Sequence, residues 1–447
     1  MLARALLGLV IATVVAFGAF VAWQWRGELP PATASAHSFD PGIVAKGAQL
    51  AAVGDCAVCH TRAGGKPYAG GFPVETPFGV VYGTNITPDR DTGIGAWSEE
   101  AFRRAMREGV ARDGAHLYPA FPYDHFTRLT DGDISALYAF LMTREQVSQP
   151  DRPPELSFPL NWRIFAAAWQ LLFLDKGAWR NDPAQSAQWN RGAYLVEGVG
   201  HCGACHTPRN RLGAEARDRR FAGGEGEGWS APALDAASPA PVPWTADQLY
   251  NYLRRGFADQ HGLAAGPMQP VVADLARAPE ADVRAIATYV ATIIGPRDPA
   301  DRKRQTDAAL AFAQQRAVTV GDVTRATTGA APADTHSAGK ALFDGACATC
   351  HRSGGGLPVS RPVPLALSTP VNESDPGNLL RIVLDGIHPA PGRRGPIMPA
   401  FSGMLTDQQI VALADYVRSR YSRGPAWPNV AAALAGVRRA QTLREAP

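Results

Sequence analysis

Every cysteine in this chain belongs to one of three copies of the pentapeptide Cys-x-x-Cys-His. The copies are Cys56-Ala57-Val58-Cys59-His60, Cys202-Gly203-Ala204-Cys205-His206 and Cys347-Ala348-Thr349-Cys350-His351. Two thiols separated by two residues, with an imidazole adjoining, form the attachment sequence for c-type haem. Each thiol adds to one vinyl group of the porphyrin, and the adjacent histidine supplies the proximal nitrogen to iron. Cys-x-x-Cys also builds zinc sites and redox pairs. A zinc ribbon needs two pairs about 15–20 residues apart, whereas these copies begin at 56, 202 and 347, spacings of 146 and 145. A disulfide framework would not put histidine after every second cysteine. The expectation is three covalent haems c, held by Cys56 and Cys59, Cys202 and Cys205, and Cys347 and Cys350, with His60, His206 and His351 on the irons.

An iron poised for electron transfer usually carries a sixth ligand, and methionine raises its potential relative to histidine. Six methionines make the search short. Met398, in Ile397-Met398-Pro399-Ala400-Phe401, precedes the last amphipathic segment and suits the third iron. Met268, in Pro267-Met268-Gln269-Pro270, suits the second. Methionine bracketed by prolines is a poor core filler, whereas Met106 and Met142 fall inside helical patterns and read as packing. The first unit departs from this scheme. Its loop is His116-Leu117-Tyr118-Pro119-Ala120-Phe121-Pro122-Tyr123-Asp124-His125. Phe121 stands where methionine is expected and cannot bind iron. His125 is the leading substitute and His116 the next; a five-coordinate iron is the remaining alternative.

The elements around these groups repeat. Each motif follows a short helical lead carrying a glycine, at 45–50, 190–195 and 337–342, and glycine permits close packing against a second helix. Each unit closes on an amphipathic helix. Ile134, Leu137, Phe140 and Leu141 mark the first, Val283, Ile286, Tyr289 and Val290 the second, and Ile410, Leu413, Tyr416 and Val417 the third; all share one helical period. Thr130 before Asp133, and Thr406 before Gln409, resemble helix-starting capping boxes. The units are expected at 40–150, 185–296 and 337–422. A linker is expected at 297–336, with a small, polar and mobile stretch at 326–335. Residues 158–179 are dense in aromatics, yet too short and broken to span a bilayer. They read either as a helix filling the core or as a docking face for a partner or the membrane.

The chain's 447 residues suffice for about three domains. Its net charge of +3, from 44 basic and 41 acidic residues, gives no sign of nucleic-acid binding. The N-terminus carries Arg4, then 21 uncharged residues to Trp25, then Arg26. That run exceeds the apolar core of a cleaved signal and matches a membrane helix, with Trp23 and Trp25 at the interface. The candidate cleavage site Ala34-Ser35-Ala36 lies far beyond it. Residues 1–26 are therefore expected to be a signal anchor, with the haem domains exported.

These residues resemble the three-haem cytochrome c subunits of bacterial membrane-bound dehydrogenases. The resemblance covers nearly the whole chain. It is carried by Tyr82-Gly83-Thr84-Asn85-Ile86-Thr87-Pro88-Asp89, Thr92-Gly93-Ile94-Gly95, the 116–123 loop and Trp189-Asn190-Arg191-Gly192-Ala193-Tyr194-Leu195. It implies a mainly α fold of three tandem class I cytochrome c domains after the membrane helix. It also implies a catalytic dehydrogenase partner, either a quinoprotein, a flavoprotein or a molybdenum hydroxylase. Phe121 with His125, and Ser238-Pro239-Ala240-Pro241-Val242-Pro243-Trp244, look most like the molybdenum hydroxylase branch of nicotinate or isoquinoline type. The implied role is a non-catalytic subunit at the bacterial inner membrane, facing the periplasm, passing electrons to quinone or to a downstream cytochrome or oxidase. Two other classes stay open: a self-contained haem enzyme, peroxidase-like or thiosulfate-oxidising, with an open site on the first iron, and a cytochrome subunit of a terminal oxidase.

Overall fold

The computed structural model describes residues 2–33, 38–295, 298–317, 336–351, 364–388 and 397–445. Positions 34–36 and 326–335, named above, lie outside them. The described chain is mostly helical, with three small antiparallel sheets. It divides into two compact units. One comprises Met1–Asp182, Tyr194–His201 and Arg211–Ala214; the other comprises Pro183–Ala193, Cys202–Asn210 and Glu215–Pro447.

In the first unit the apolar N-terminal run forms one helix, Leu2–Gln24, with most of its side chains exposed. Asp40 caps the next helix, Pro41–Val53, by accepting from the amides of Gly42 and Ile43, satisfying N–H groups that have no helical partner. This lead helix crosses the closing helix Asp131–Met142. The crossing is as close as a glycine allows: a Cβ on Gly47 would overlap the Ala136 carbonyl oxygen. Thr130 caps the closing helix by accepting from the Asp133 amide. Asp133 is buried, accepts a hydrogen bond from the Tyr194 hydroxyl at 2.5 Å and pairs with Lys46. The unit does not stop at 150. Strands Pro73–Thr76, Gly79–Tyr82 and Glu155–Leu156 form one antiparallel sheet, and a further helix, Ile164–Phe173, packs Ala166, Ala167, Trp169 and Gln170 inward.

The second unit contains the same crossing twice. A Cβ on Gly192, in the helix Ala187–Glu197, would overlap the Ala285 carbonyl of the closing helix Glu280–Ile293. A Cβ on Gly339, in the helix Ser337–Leu342, would overlap the Ala412 carbonyl of the closing helix Asp407–Tyr421. Thr406 and Gln409 complete a reciprocal capping box, and so do Thr245 and Gln248.

Two further helices lie outside the expected units. Half of the expected 297–336 linker is the helix Pro299–Arg316, started by Asp298 and proline. Its Ala309 and Ala313 are buried in the same core as Phe343, Leu380 and Ile410. Small residues make a polar-looking helix able to lie close to that core, which composition alone reads as linker. The third core also continues past 422: the helix Val430–Glu445 buries Val430, Leu434 and Val437 in it.

Candidate haem sites

At the first motif, Cys56–Cys59 form one helical turn entered through Asp55, whose φ of 50° is left-handed. The imidazole of His60 donates from Nδ1 to the Thr84 carbonyl at 2.7 Å. Thr84 belongs to the loop following the strand Gly79–Tyr82, and that loop is held by Asn85. The Asn85 amide reaches the carbonyls of Val147 and Gln149 at 2.8 and 3.2 Å, while its Oδ1 accepts from the backbone N–H and hydroxyl of Thr87. Gly83 is needed because a Cβ there would overlap the Cys59 carbonyl. The Gly-Thr-Asn segment is thus a mount for the His60 ring.

The second motif repeats this arrangement with other residues. His206 donates from Nδ1 to the Pro232 carbonyl at 2.8 Å. Gly224, in a hairpin with Trp229–Ala231, lies against the Cys205 carbonyl. At the third motif a π-type turn, Phe343–Cys347, leads into Ala348–His351. His351 Nδ1 is buried and has no partner among the described residues.

These groups fit c-type haem. The six thiols are unbridged. Burial lowers the proton affinity of His60, His206 and His351, with the carbonyl acceptors of His60 and His206 pulling the other way. Neutral imidazole is the ligating form, and a donor bond from Nδ1 leaves the lone pair on Nε2 for a metal.

The sixth-ligand candidates divide. Met398 lies on a two-bond bridge, its N–H and carbonyl pairing with those of Ile387 at 2.9 Å, and its side chain packs against the third core. Gly386, with φ of 72°, lets the strand pass the Met398 carbonyl. Met268 lies not in a loop, as its prolines suggest, but at the first position of a helix, Met268–Leu275, behind Pro267; Pro267 and Pro270 suit a helix's first turn, where no N–H partner is lost. The equivalence of Met268 and Phe121 has a backbone basis. Phe257 pairs with Leu263, five residues before Met268, and Val110 with His116, five before Phe121.

Phe121 itself is apolar packing, 5.2 Å from the Phe126 ring and 6.3 Å from Tyr123. The two histidines of its loop are used differently. His116 is buried, with Nδ1 2.6 Å from Gln170 Oε1 and Nε2 3.0 Å from the Gln24 carbonyl, so both of its ring nitrogens already face partners within the fold. His125, on the short helix Tyr123–Phe126, donates from Nδ1 to the Glu197 carbonyl at 3.0 Å, the bonding mode shared by His60 and His206. Its ring lies 6.4 Å from His201, whose Nε2 reaches the Gly54 carbonyl at 3.2 Å. Gly54 is two residues from Cys56. His201 is not among the residues expected here; its one sequence signal is its place immediately before Cys202.

Comparison with known proteins agrees with this chemistry. Residues 44–145 and 336–420, which take in the first and third motifs, match the cytochrome c family model. The chain is a c-type cytochrome, and its cofactor is haem c. It is 47% identical over 425 residues to one of the subunits of nicotinate dehydrogenase from Pseudomonas putida, covering 93% of this chain and 34% of that protein. The chain therefore spans about a third of that relative's length. It is 36% identical to the fructose dehydrogenase cytochrome subunit of Gluconobacter japonicus, covering 89% and 82% of the two chains. It is 34% identical to the gluconate 2-dehydrogenase cytochrome c subunit of Pantoea cypripedii, covering 94% of each. The chain belongs to the family of dehydrogenase cytochrome c subunits.

Proposed function

We propose that the chain is the three-haem electron-transfer subunit of a membrane-bound dehydrogenase complex. Its cytochrome domains are 40–150, 185–296 and 337–422, the third enlarged by the helices Pro299–Arg316 and Val430–Glu445. The observation that carries the reading is the threefold repeat: each Cys-x-x-Cys-His follows a lead helix whose glycine lies against a carbonyl of a closing helix. Bound haem supplies a one-electron couple whose potential is set by axial ligand and burial. The protein's part is ligation, a dry surrounding and short spacing. Met268 and Met398 are assigned to the second and third irons and His125 to the first.

Electrons come from a catalytic dehydrogenase partner. A molybdenum hydroxylase is favoured by the Phe121–His125 loop and by similarity to the nicotinate dehydrogenase relative; quinoprotein and flavin partners are the alternatives. They leave to quinone or to a terminal cytochrome or oxidase. The helix Leu2–Gln24 holds the chain in the bacterial inner membrane with its haem domains in the periplasm. The test is intact mass and haem stoichiometry of the exported protein, followed by anaerobic addition of the partner's substrate to the copurified complex. Three haem masses and substrate-driven reduction of the haem bands are expected. Two haems or fewer in mature protein, or no copurifying dehydrogenase, would count against the reading.

A further inference from the structure

The helix Ile164–Phe173 carries no charge, and its faces are the reverse of a soluble helix. Its only polar side chain, Gln170, is buried, donating to the Gly109 carbonyl at 2.8 Å and receiving the His116 bond. Its outer face is apolar: Phe165, Leu171 and Leu172 are 38, 53 and 63% exposed. Phe158 and Trp162, just before it, are 72 and 55% exposed and pack edge to face at 5.3 Å. Isolated exposed apolar residues need no explanation, but a contiguous set marks a contact.

Its neighbour identifies the contact. His116 bonds Gln170 on one side and the carbonyl of Gln24, the last residue of the N-terminal apolar helix, on the other. The chain leaving that helix is clamped to the same unit. Arg104 donates to the Gly27 carbonyl at 2.8 Å, Leu29 pairs with the Arg112 carbonyl at 2.9 Å, and Gly114 admits the Arg26 carbonyl. The inner face of Ile164–Phe173 is thus tied through His116 to the end of the N-terminal helix, whose Trp23 and Trp25 are 61 and 77% exposed. Cations flank the helix: Arg163 precedes it, and a groove of about 520 Å³ after it is lined by Arg128, Lys176, Trp179 and Arg180. Asp175 and Glu108 pair with Arg128 and Lys176, leaving the set net positive. Ten residues of helix span about 15 Å, half a bilayer core of about 30 Å.

We propose that Phe158, Trp162, Phe165, Leu171 and Leu172 form a second membrane contact, an interfacial helix lying in the headgroup region beside the anchor, its flanking cations on anionic lipid phosphates. The inference rests on the reading of Leu2–Gln24 as an uncleaved anchor. It fixes the first unit against the bilayer at two points, where a lone anchor would leave it free to swing.

The test uses the full haem-loaded chain, one copy per nanodisc of phosphatidylcholine and phosphatidylglycerol. A phospholipid with a photoreactive group near its headgroup is incorporated, and adducts are mapped by peptide mass spectrometry. Adducts are expected on 2–24 and on 158–173, the latter about tenfold above 66–82. Phe165→Gln with Leu172→Gln, both at exposed positions, should lower the 158–173 yield several-fold and leave haem content and the 2–24 yield unchanged. Adducts on 2–24 alone would overturn the second contact while the anchor stands. Adducts on neither segment would overturn both. Adducts on 158–173 that disappear when the dehydrogenase partner docks would assign the face to that partner and overturn the proposal.

Discussion

The first and third haem neighbourhoods start from one plan and diverge at one loop. In the third, Met398 is fixed by two backbone bonds to Ile387 and lies against the core. In the first, the corresponding loop contributes Phe121 to aromatic packing with Phe126, Tyr123 and, through Tyr123, Trp169. With phenylalanine at this position the side chain serves as packing, and an iron ligand would have to come from another group. The two histidines on offer show how backbone surroundings choose between them. His116 is engaged between Gln24, at the end of the N-terminal helix, and Gln170 of the helix Ile164–Phe173, whereas His125 is oriented by a carbonyl as His60 and His206 are.

The largest effect tests what the neighbourhoods share. Gly47→Ala and Gly339→Ala drive a Cβ into a helix carbonyl, an overlap that backbone movement alone can relieve, at a cost of several kcal/mol. Each should lower the melting temperature sharply and reduce haem occupancy, read by thermal denaturation and haem absorbance. Equal tolerance of alanine and glycine at both positions would break the shared plan.

Next, Cys202→Ser with Cys205→Ser removes attachment at one site only. Haem content should fall from three to two, with the first and third retained in mapped peptides. Loss of all three would show that the sites do not mature independently.

A third prediction separates the regions by pH. Glu373, buried in the third core and bonded to Asn378, has its carboxyl pushed up to about 7 by burial. Because the folded value lies above the ordinary 4.5, its neutral form favours folding. That stability is present below about pH 4.5 and is lost as pH rises through 7, roughly 3 kcal/mol at most. Glu373→Gln should flatten denaturation midpoints between pH 5 and 8, and the wild-type slope persisting in the variant would refute this.

The smallest effect concerns His116. His116→Ala removes the side chain that faces both Gln170 Oε1 and the Gln24 carbonyl, about 1–3 kcal/mol for a buried group left unsatisfied. Stability should drop, with the first haem's spectrum unchanged.

Much of this was legible in the residues, for reasons that differ. The three motifs and their spacing are chemistry written locally, and the closing helices followed from period and from Thr406. The proximal mounts were less legible. Thr84 and Pro232 act through carbonyls, which every residue has, so only the flanking glycines Gly83 and Gly224 hinted at a close approach. The helix Pro299–Arg316 was hidden because its fully buried residues are two alanines, with Leu310 and Phe312 only partly covered. The 158–179 stretch allowed core or surface, and the structure divides it by face: Trp169 inward, Phe165 and Leu172 outward. His116 and His125 are the same residue type in one loop, and only their partners across the fold tell them apart.

The central claim is that the first iron is bound by His125 where the others have methionine. A redox titration with paramagnetic resonance on the wild type and on His125→Ala tests it most directly. Two methionine-type centres and one bis-histidine centre of lowest potential are predicted, with that centre alone altered, and opened to carbon monoxide, in His125→Ala. Three methionine-type centres, or a first haem unchanged by His125→Ala, would contradict the account.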